Sequence, residues 1–332
     1  MKLLKNFSLA FIVIVVMIFT CSWGFLIHRT AHQLAIYELP KNLQQFFYKN
    51  MDYIVYNSVR PDVRRNKDVT EASKHFIDVE AYGDSAVYKM PLNWNDAVAQ
   101  YTKDTLLKYG YVPYHVVYMK NKLTEAFKNG NKDSILFYAT DLGHYIEDAN
   151  VPLHTSINYD GQLTDQKGLH ALWESVVPEI EIDNYNLSST HKATYLSNPE
   201  QSIWNAVRSA NALLKDVFEK EKEVSANFTD ATKYKTENRK GRQVKYYTTA
   251  FAKAYAAVLK NTINEQAIRS ANLVADFWYT AWVDAGKPDL NNLTNITKAD
   301  KKQLKKEIKS FKHNHLIADK YLQSRKGKAE EY

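Results

Sequence analysis

His144-Tyr-Ile-Glu-Asp148-Ala-Asn-Val-Pro152-Leu-His154 is the stretch on which the reading of this chain turns. It closes an apolar-periodic segment, Asp133 to Ala149, that predicts a helix stopped at Val151-Pro152, since the residue before proline avoids the helical region. His144 and Asp148 are four apart and therefore share one helix face, about 5–6 Å from each other at Cβ. His154, two residues past the proline, falls where the broken helix can aim it back at the same place. His170 and Glu174 repeat the four-residue spacing on the next predicted helix, Asp165 to Val176. Zinc takes imidazole nitrogens and carboxylate oxygens, four in a tetrahedral array with one position left open in catalytic sites. A single His/carboxylate pair on a helix is more often a surface or core hydrogen bond. Two pairs flanking a third imidazole within thirty-one residues favour a metal cluster.

Outward from this stretch, helical periodicity continues in both directions. Leu43 to Val59 predicts a helix ended by Arg60-Pro61, Asn95 to Lys108 a second behind a polar cap, and Tyr114 to Asn129 a third closed at Gly130. Ser202 to Val224 and Lys245 to Asp284 are long and apolar, the latter with a bend expected near Asn261–Asn264, and Trp278 and Trp282 are assigned to core packing. Thr229 to Val244 is polar and basic, the pattern of an exposed loop, and Lys301 to Leu322 predicts a final helix. No repeat and no strand is evident. With only 10 Gly and 8 Pro in 332 residues but 23 Tyr, 14 Phe and 6 Trp, the composition argues against a disordered chain and against a many-turned β-sandwich. The expected architecture is all-α: one multi-helix domain over residues 23–298 and a basic helical tail over 299–332.

The amino terminus reads differently. Lys2 and Lys5 precede an apolar run from Phe7 to Thr20, too short for a membrane span of about 20 residues and right for the apolar segment of a signal peptide. Thr20 and Ser22 supply small residues before a cut at Trp23, so residues 1–22 are expected to be removed and the protein exported, periplasmic or secreted. A retained amino-terminal anchor and lipidation of Cys21 are the alternatives. Without the leader the chain holds no cysteine and folds without disulfides. The net charge of +7 is unevenly placed, because residues 299–332 carry ten Lys or Arg against five Asp or Glu and leave the body near neutral. A charge run of this kind is usually a solvated helix face. It is a weak pointer to an anionic surface, and deleting it is expected to spare turnover of a small soluble substrate.

Three further candidates stand upstream: His28, Asp62 and His75. Singly each has an ordinary structural reading, Asp62 as a helix cap and His75 as a buried, hydrogen-bonded imidazole. In order, however, Trp23-Gly-x3-His28, Asp62, His75-Phe-Ile-Asp78, His144-x3-Asp148-x3-Pro152-Leu-His154 and Leu169-His170-x2-Trp173-Glu174 resemble the zinc-dependent phospholipase C and fungal single-strand nuclease superfamily. The resemblance spans about half of the chain after residue 22.

The resemblance implies an all-α hydrolase of phosphate esters with three zinc ions. Asp62, His75, His144 and Asp148 would hold the first, and His154, His170 and Glu174 the second. The α-amino group and carbonyl of Trp23 would hold the third with His28, Asp148 bridging the first and third. Asp62 would also orient or deprotonate the attacking water, Phe76 would wall the substrate pocket, and Asp78 would fix a ligand tautomer unless it is a solvated loop acid. His32, one turn past His28, is assigned to the surface or to packing. Glu174 matches the phospholipases, the His28 spacing matches the nucleases, and Val63 stands where the phospholipases carry an aromatic. The substrate is therefore expected to be a phospholipid phosphodiester, with single-stranded nucleic acid or a nucleotide as alternative. A helical zinc-binding protein without catalysis is the reading from another class. No protein partner is implied.

Overall fold

Residues 24–239 and 242–325 are described by the computed structural model. The expected leader and Trp23 lie outside the described residues. Helices dominate: α1 (Phe25–Glu38), α2 (Lys41–Lys49), α3 (Met51–Asn57), α4 (Arg60–Arg64), α5 (Trp94–Tyr101), α6 (Lys103–Tyr109), α7 (Val112–Lys128) and α8 (Lys132–Asp148). A helical stretch over 169–181, here α9, follows the loop after His154. Then come α10 (Pro199–Ala212), α11 (Leu214–Ser225), α12 (Thr249–Leu259), α13 (Thr262–Asp284) and α14 (Lys298–Lys312). Among the described residues no helix is long and apolar enough to cross a membrane.

Local chemistry explains the boundaries. Asn93, Asn131 and Asn198 cap α5, α8 and α10 by accepting backbone N–H bonds of 2.9, 2.9 and 2.8 Å, satisfying donors that a helix start leaves open. The helix expected over Leu43–Val59 is divided at Asn50, and Arg60-Pro61 opens α4 instead of ending a helix, because proline in a first turn lacks only an N–H that has no partner there. The one expected over Asn95–Lys108 breaks at Thr102, whose φ of +66° no helix tolerates. The long carboxy-terminal segment breaks at Lys260 and Asn261, beside the expected bend.

Two expectations need larger correction. The helix predicted from Asp165 begins only at Leu169 and runs past Pro178, because a π-turn over Leu172–Val176 shifts the register so that the proline falls in a new first turn. The expected loop after Thr229 holds a strand pair instead: Tyr234–Arg239 (β1) and Arg242–Tyr247 (β2) are antiparallel, Tyr234 opposite Tyr247. Alternation carries one side of the pair inward. Tyr247 is buried, 5.0 Å from the Tyr234 ring and 4.8 Å from Phe251, with its hydroxyl donating to Glu221.

The core forms where α1, α7, α8 and α13 pack together. Trp278 on α13 is fully buried, stacks on Phe47 of α2 at 4.6 Å and donates its indole N–H to the Ala139 carbonyl of α8 at 2.8 Å. Trp282 is likewise in the core. The basic segment is helical in α14, and its lysines Lys301, Lys302, Lys305, Lys306 and Lys309 face solvent. Its other face is not peripheral. Leu304, Phe311, Leu316 and Leu322 join the hydrophobic core, Glu307 accepts from Tyr37 and Tyr48 at 2.8 and 2.9 Å, and Gln33 of α1 donates to the Tyr321 carbonyl. Phe311→Ala is therefore expected to destabilise the fold by about 3–5 kcal/mol, as deletion of a buried phenyl does. Removing residues 299–332 should lower the urea midpoint further, so any loss of turnover in that truncation is to be read beside its melting curve.

Candidate metal centre

Six segments deliver the candidate ligands to one place. Helix α8 supplies His144 and Asp148 from its last turns, α1 supplies His28, α4 supplies Asp62, and the segment after a short 3-10 turn at Ala72–Lys74 supplies His75. Pro152 opens a 3-10 turn, Pro152–Thr155, that turns His154 back beneath α8, and α9 brings His170 and Glu174. Glu174 lies inside the π-turn, a local widening that recurs at functional sites. Eight of the nine residues expected at the site are thus brought together in three groups, the first two sharing His144: His28, His144 and Asp148; Asp62, His75 and His144; His154, His170 and Glu174. The ninth, Trp23, lies outside the described residues. A Cβ on Gly24, the next residue, would stand 3.9 Å from both Glu174 and His28.

The outer nitrogens of two imidazoles are pinned by backbone. His144 Nδ1 donates to the Ser58 carbonyl at 2.8 Å and His154 Nδ1 to the His75 carbonyl at 2.7 Å. That leaves each Nε2 with a lone pair directed inward. His144 Nε2 lies 3.1 Å from His75 Nδ1 and 3.2 Å from Asp148 Oδ2, which is itself 2.8 Å from His75 Nδ1. His154 Nε2 lies 3.1 Å from His170 Nε2 and 3.4 Å from Glu174 Oε1, and His170 Nε2 is 2.6 Å from Glu174 Oε2. Ligands about 2.0–2.1 Å from a tetrahedral zinc stand roughly 3.3 Å apart. Lone pairs gathered at such spacings repel unless a cation or shared protons lie between them. The donor set fits zinc.

The charges answer to the same crowding. Burial raises the Asp148 carboxyl, but the imidazoles of His144, His154 and His75 outweigh it and hold Asp148 well below the usual carboxylate range. Glu174, also raised by burial, is drawn down to about 2 by His170 and His154. Burial lowers His28, yet its bond to Glu147 and the charges of Asp148 and Asp62 push it up to about 10. Burial prevails at His154, which is lowered.

Exposure locates the mouth. The side chains of His75, His144 and Asp148 are 1%, 0% and 2% exposed, against 15% for Asp62, 17% for Glu174 and 26% for His170. Arg65 stands at that open side with Nη1 3.6 Å from Asp62 Oδ1, and its charge is felt by His170 and Tyr159. The Tyr159 ring is 6.1 Å from that of His170. Behind the cluster, Glu71 is fully buried, accepts from Arg64 at 2.9 Å, Lys74 at 2.7 Å and the Tyr145 hydroxyl, and lies 3.6 Å from His75 Nε2.

Several assignments shift. Asp78 is neither a solvated acid nor the acceptor that fixes a ligand tautomer. It is buried under the Tyr109 carbonyl, to which its N–H donates, and the tautomers are set by the Ser58 and His75 carbonyls and by Glu147. Phe76 is half-buried and its carbonyl accepts from Val112; a Cβ on Gly110, whose φ is +83°, would meet that carbonyl at 2.3 Å, so only glycine fits beside it. His32 is a packing residue, wholly buried. Glu147 carried no signal beyond adjacency to Asp148, and Arg65 none beyond its place three residues after Asp62, since charged residues at such spacings are commonplace in a helix.

No protein family model matches the chain, and no curated protein matches it. Among solved structures, the alpha-toxin of Clostridium perfringens from avian strain SWCP matches with a TM-score of 0.46 and 15% identity, over 81% of this chain and 65% of the toxin chain. A likeness this distant transfers neither residues nor chemistry. The buried Asp78 supplies a test of the site's surroundings. Burial, with the nearby charge of Glu80, raises it to about 7 from 3.8. Between those values the folded chain binds more protons than the unfolded one, so this group's contribution to stability falls as pH rises from about 4 to 7. Asp78→Asn should flatten that part of the curve, seen as urea midpoints at pH 5 and pH 8 that lie closer together than in the parent.

Proposed function

We propose that this chain is a zinc-dependent hydrolase of phosphate esters, similar to phospholipase C and acting on a phosphodiester. The observation that carries the reading is the convergence of imidazole nitrogens and carboxylate oxygens from six segments into neighbouring groups, with the Nε2 lone pairs of His144 and His154 facing inward. Asp62, His75, His144 and Asp148 would hold one zinc, His154, His170 and Glu174 a second, and His28 with Asp148 and the Trp23 amino terminus a third. Held by these residues, zinc would supply Lewis acidity, lowering the pKa of a bound water toward 7 and offsetting the charge of a phosphoryl group.

The chain's own part is placement and charge. Asp62 sits at the open edge of its group, where its carboxylate can orient a water and accept its proton. Arg65 stands beside Asp62 at the mouth, where a guanidinium can bind a non-bridging phosphate oxygen. The deep, dry wall of His75, His144 and Asp148 keeps solvent from the reacting centre. Phe76 remains part of the proposal as an aromatic next to His75. Export, through removal of residues 1–22, would be the step that frees the Trp23 amine.

Release of p-nitrophenol from a phosphodiester reporter should be lost on treatment with chelator and return with added zinc; turnover that persists in the metal-free protein would end the reading. Lecithin liposomes are the expected better substrate over single-stranded DNA, and the reverse preference would move the assignment to a nuclease. Arg65→Ala should lower kcat/KM by about 10–100-fold, the equivalent of a charge-assisted hydrogen bond of about 1.5–3 kcal/mol, while bound zinc is unchanged by elemental analysis.

A further inference from the structure

The contact between α1 and α8 contains a second layer of polar side chains behind the candidate ligands. His28 and His32 are four apart on α1, and Gly143 and Glu147 are four apart on α8, so each pair lies on one face of its helix. The two faces meet. Glu147 is 3% exposed; one of its oxygens accepts from His28 Nδ1 and the other lies 2.7 Å from His32 Nδ1. His32 Nε2 donates to the Thr140 carbonyl one turn before His144, at 3.0 Å. A Cβ at position 143 would stand only 2.4 Å from His32 Nε2, far inside contact distance, so the imidazole lies in a notch that glycine alone provides. With Nδ1 committed to Glu147, His28 turns Nε2 toward Asp148 Oδ1 at 3.7 Å, and its ring stacks on His144 at 4.2 Å.

The acceptor makes His28 different from its neighbours. His144 and His154 give their outer N–H to neutral carbonyls, whereas His28 gives it to a buried carboxylate. A carboxylate behind an imidazole fixes its tautomer and raises its basicity as a ligand, and loss of such a partner typically weakens metal binding about 10–100-fold. Beside that carboxylate the His32 ring is held in its notch between the His28 and Thr140 carbonyls, its Nδ1 2.9 Å from the first and its Nε2 3.0 Å from the second, so that it packs against Glu147 and confines it. We propose that Glu147 is a positioning residue for His28, seated by His32 over Gly143, and that it selectively strengthens the metal position His28 shares with Asp148. This rests on the reading of the cluster as a metal centre.

The test is zinc content by elemental analysis of the full-length protein and its variants, dialysed against graded chelator, with thermal melting recorded for each. Glu147→Gln, close in shape, is expected to release one zinc equivalent at about 10–100-fold lower chelator strength than the parent while the others stay. Gly143→Ala, which displaces His32 and leaves Glu147 in place, should weaken the same equivalent, and it reads the contact independently if Glu147→Gln fails to fold. In a His28→Ala background, Glu147→Gln should have no further effect on zinc retention. Unchanged retention in folded Glu147→Gln and Gly143→Ala proteins, or equal weakening of all equivalents, overturns the proposal. A parent protein that binds no zinc removes the metal-centre reading itself, an outcome distinct from either.

Discussion

Asp148 is the point on which the structure is strung. Its carboxylate is almost wholly buried at the end of α8, with His75, His144, His154 and His28 within 2.8 to 3.7 Å of its two oxygens. An ionised carboxylate removed from water is costly unless it is compensated. Here the compensation comes from imidazoles that reach it from α1, from the segment behind α4, and from the 3-10 turn after Pro152. The requirement couples elements far apart in sequence: these segments cannot separate without leaving a buried charge unpaired.

The rest of the fold can be read as the means of holding that arrangement. Trp278, packed between α2 and α8 with its N–H on the Ala139 carbonyl, fixes the long α13 against the helix that carries His144 and Asp148. The Ser58 and His75 carbonyls fix ring orientation without adding charge, and Glu71 with Arg64, Lys74 and Tyr145 closes the back of the cluster. Toward solvent the cluster presents its partly exposed members Asp62, His170 and Glu174, with Arg65 beside Asp62. A buried, hydrogen-bonded back and a partly exposed front set the geometry of these side chains before any ligand reaches them.

The carboxy-terminal segment shows how composition alone misleads. Its lysines mark it as solvated, and on one face of α14 they are. The other face carries Leu304, Phe311 and the buried Glu307, which meets the hydroxyls of Tyr37 and Tyr48. A net charge sums over both faces of a helix and therefore hides an apolar stripe that places the segment within the core.

By itself the sequence marked candidate metal-binding groups and most of the helical stretches, because both depend on local spacing: the four-residue intervals in His144/Asp148 and His170/Glu174, and the periodic apolar stripes. The order of upstream candidates pointed to His28, Asp62 and His75, although no local rule brings them together. Only tertiary structure decided what depends on neighbours remote in sequence. It set the tautomers through Ser58 and His75 carbonyls instead of Asp78, put Glu147 between His28 and His32, carried α9 past Pro178 through a π-turn, and paired β1 with β2 where the local pattern read as loop. Spacing along a chain reports a residue's own face, whereas hydrogen-bond partners and burial are properties of the surface it meets.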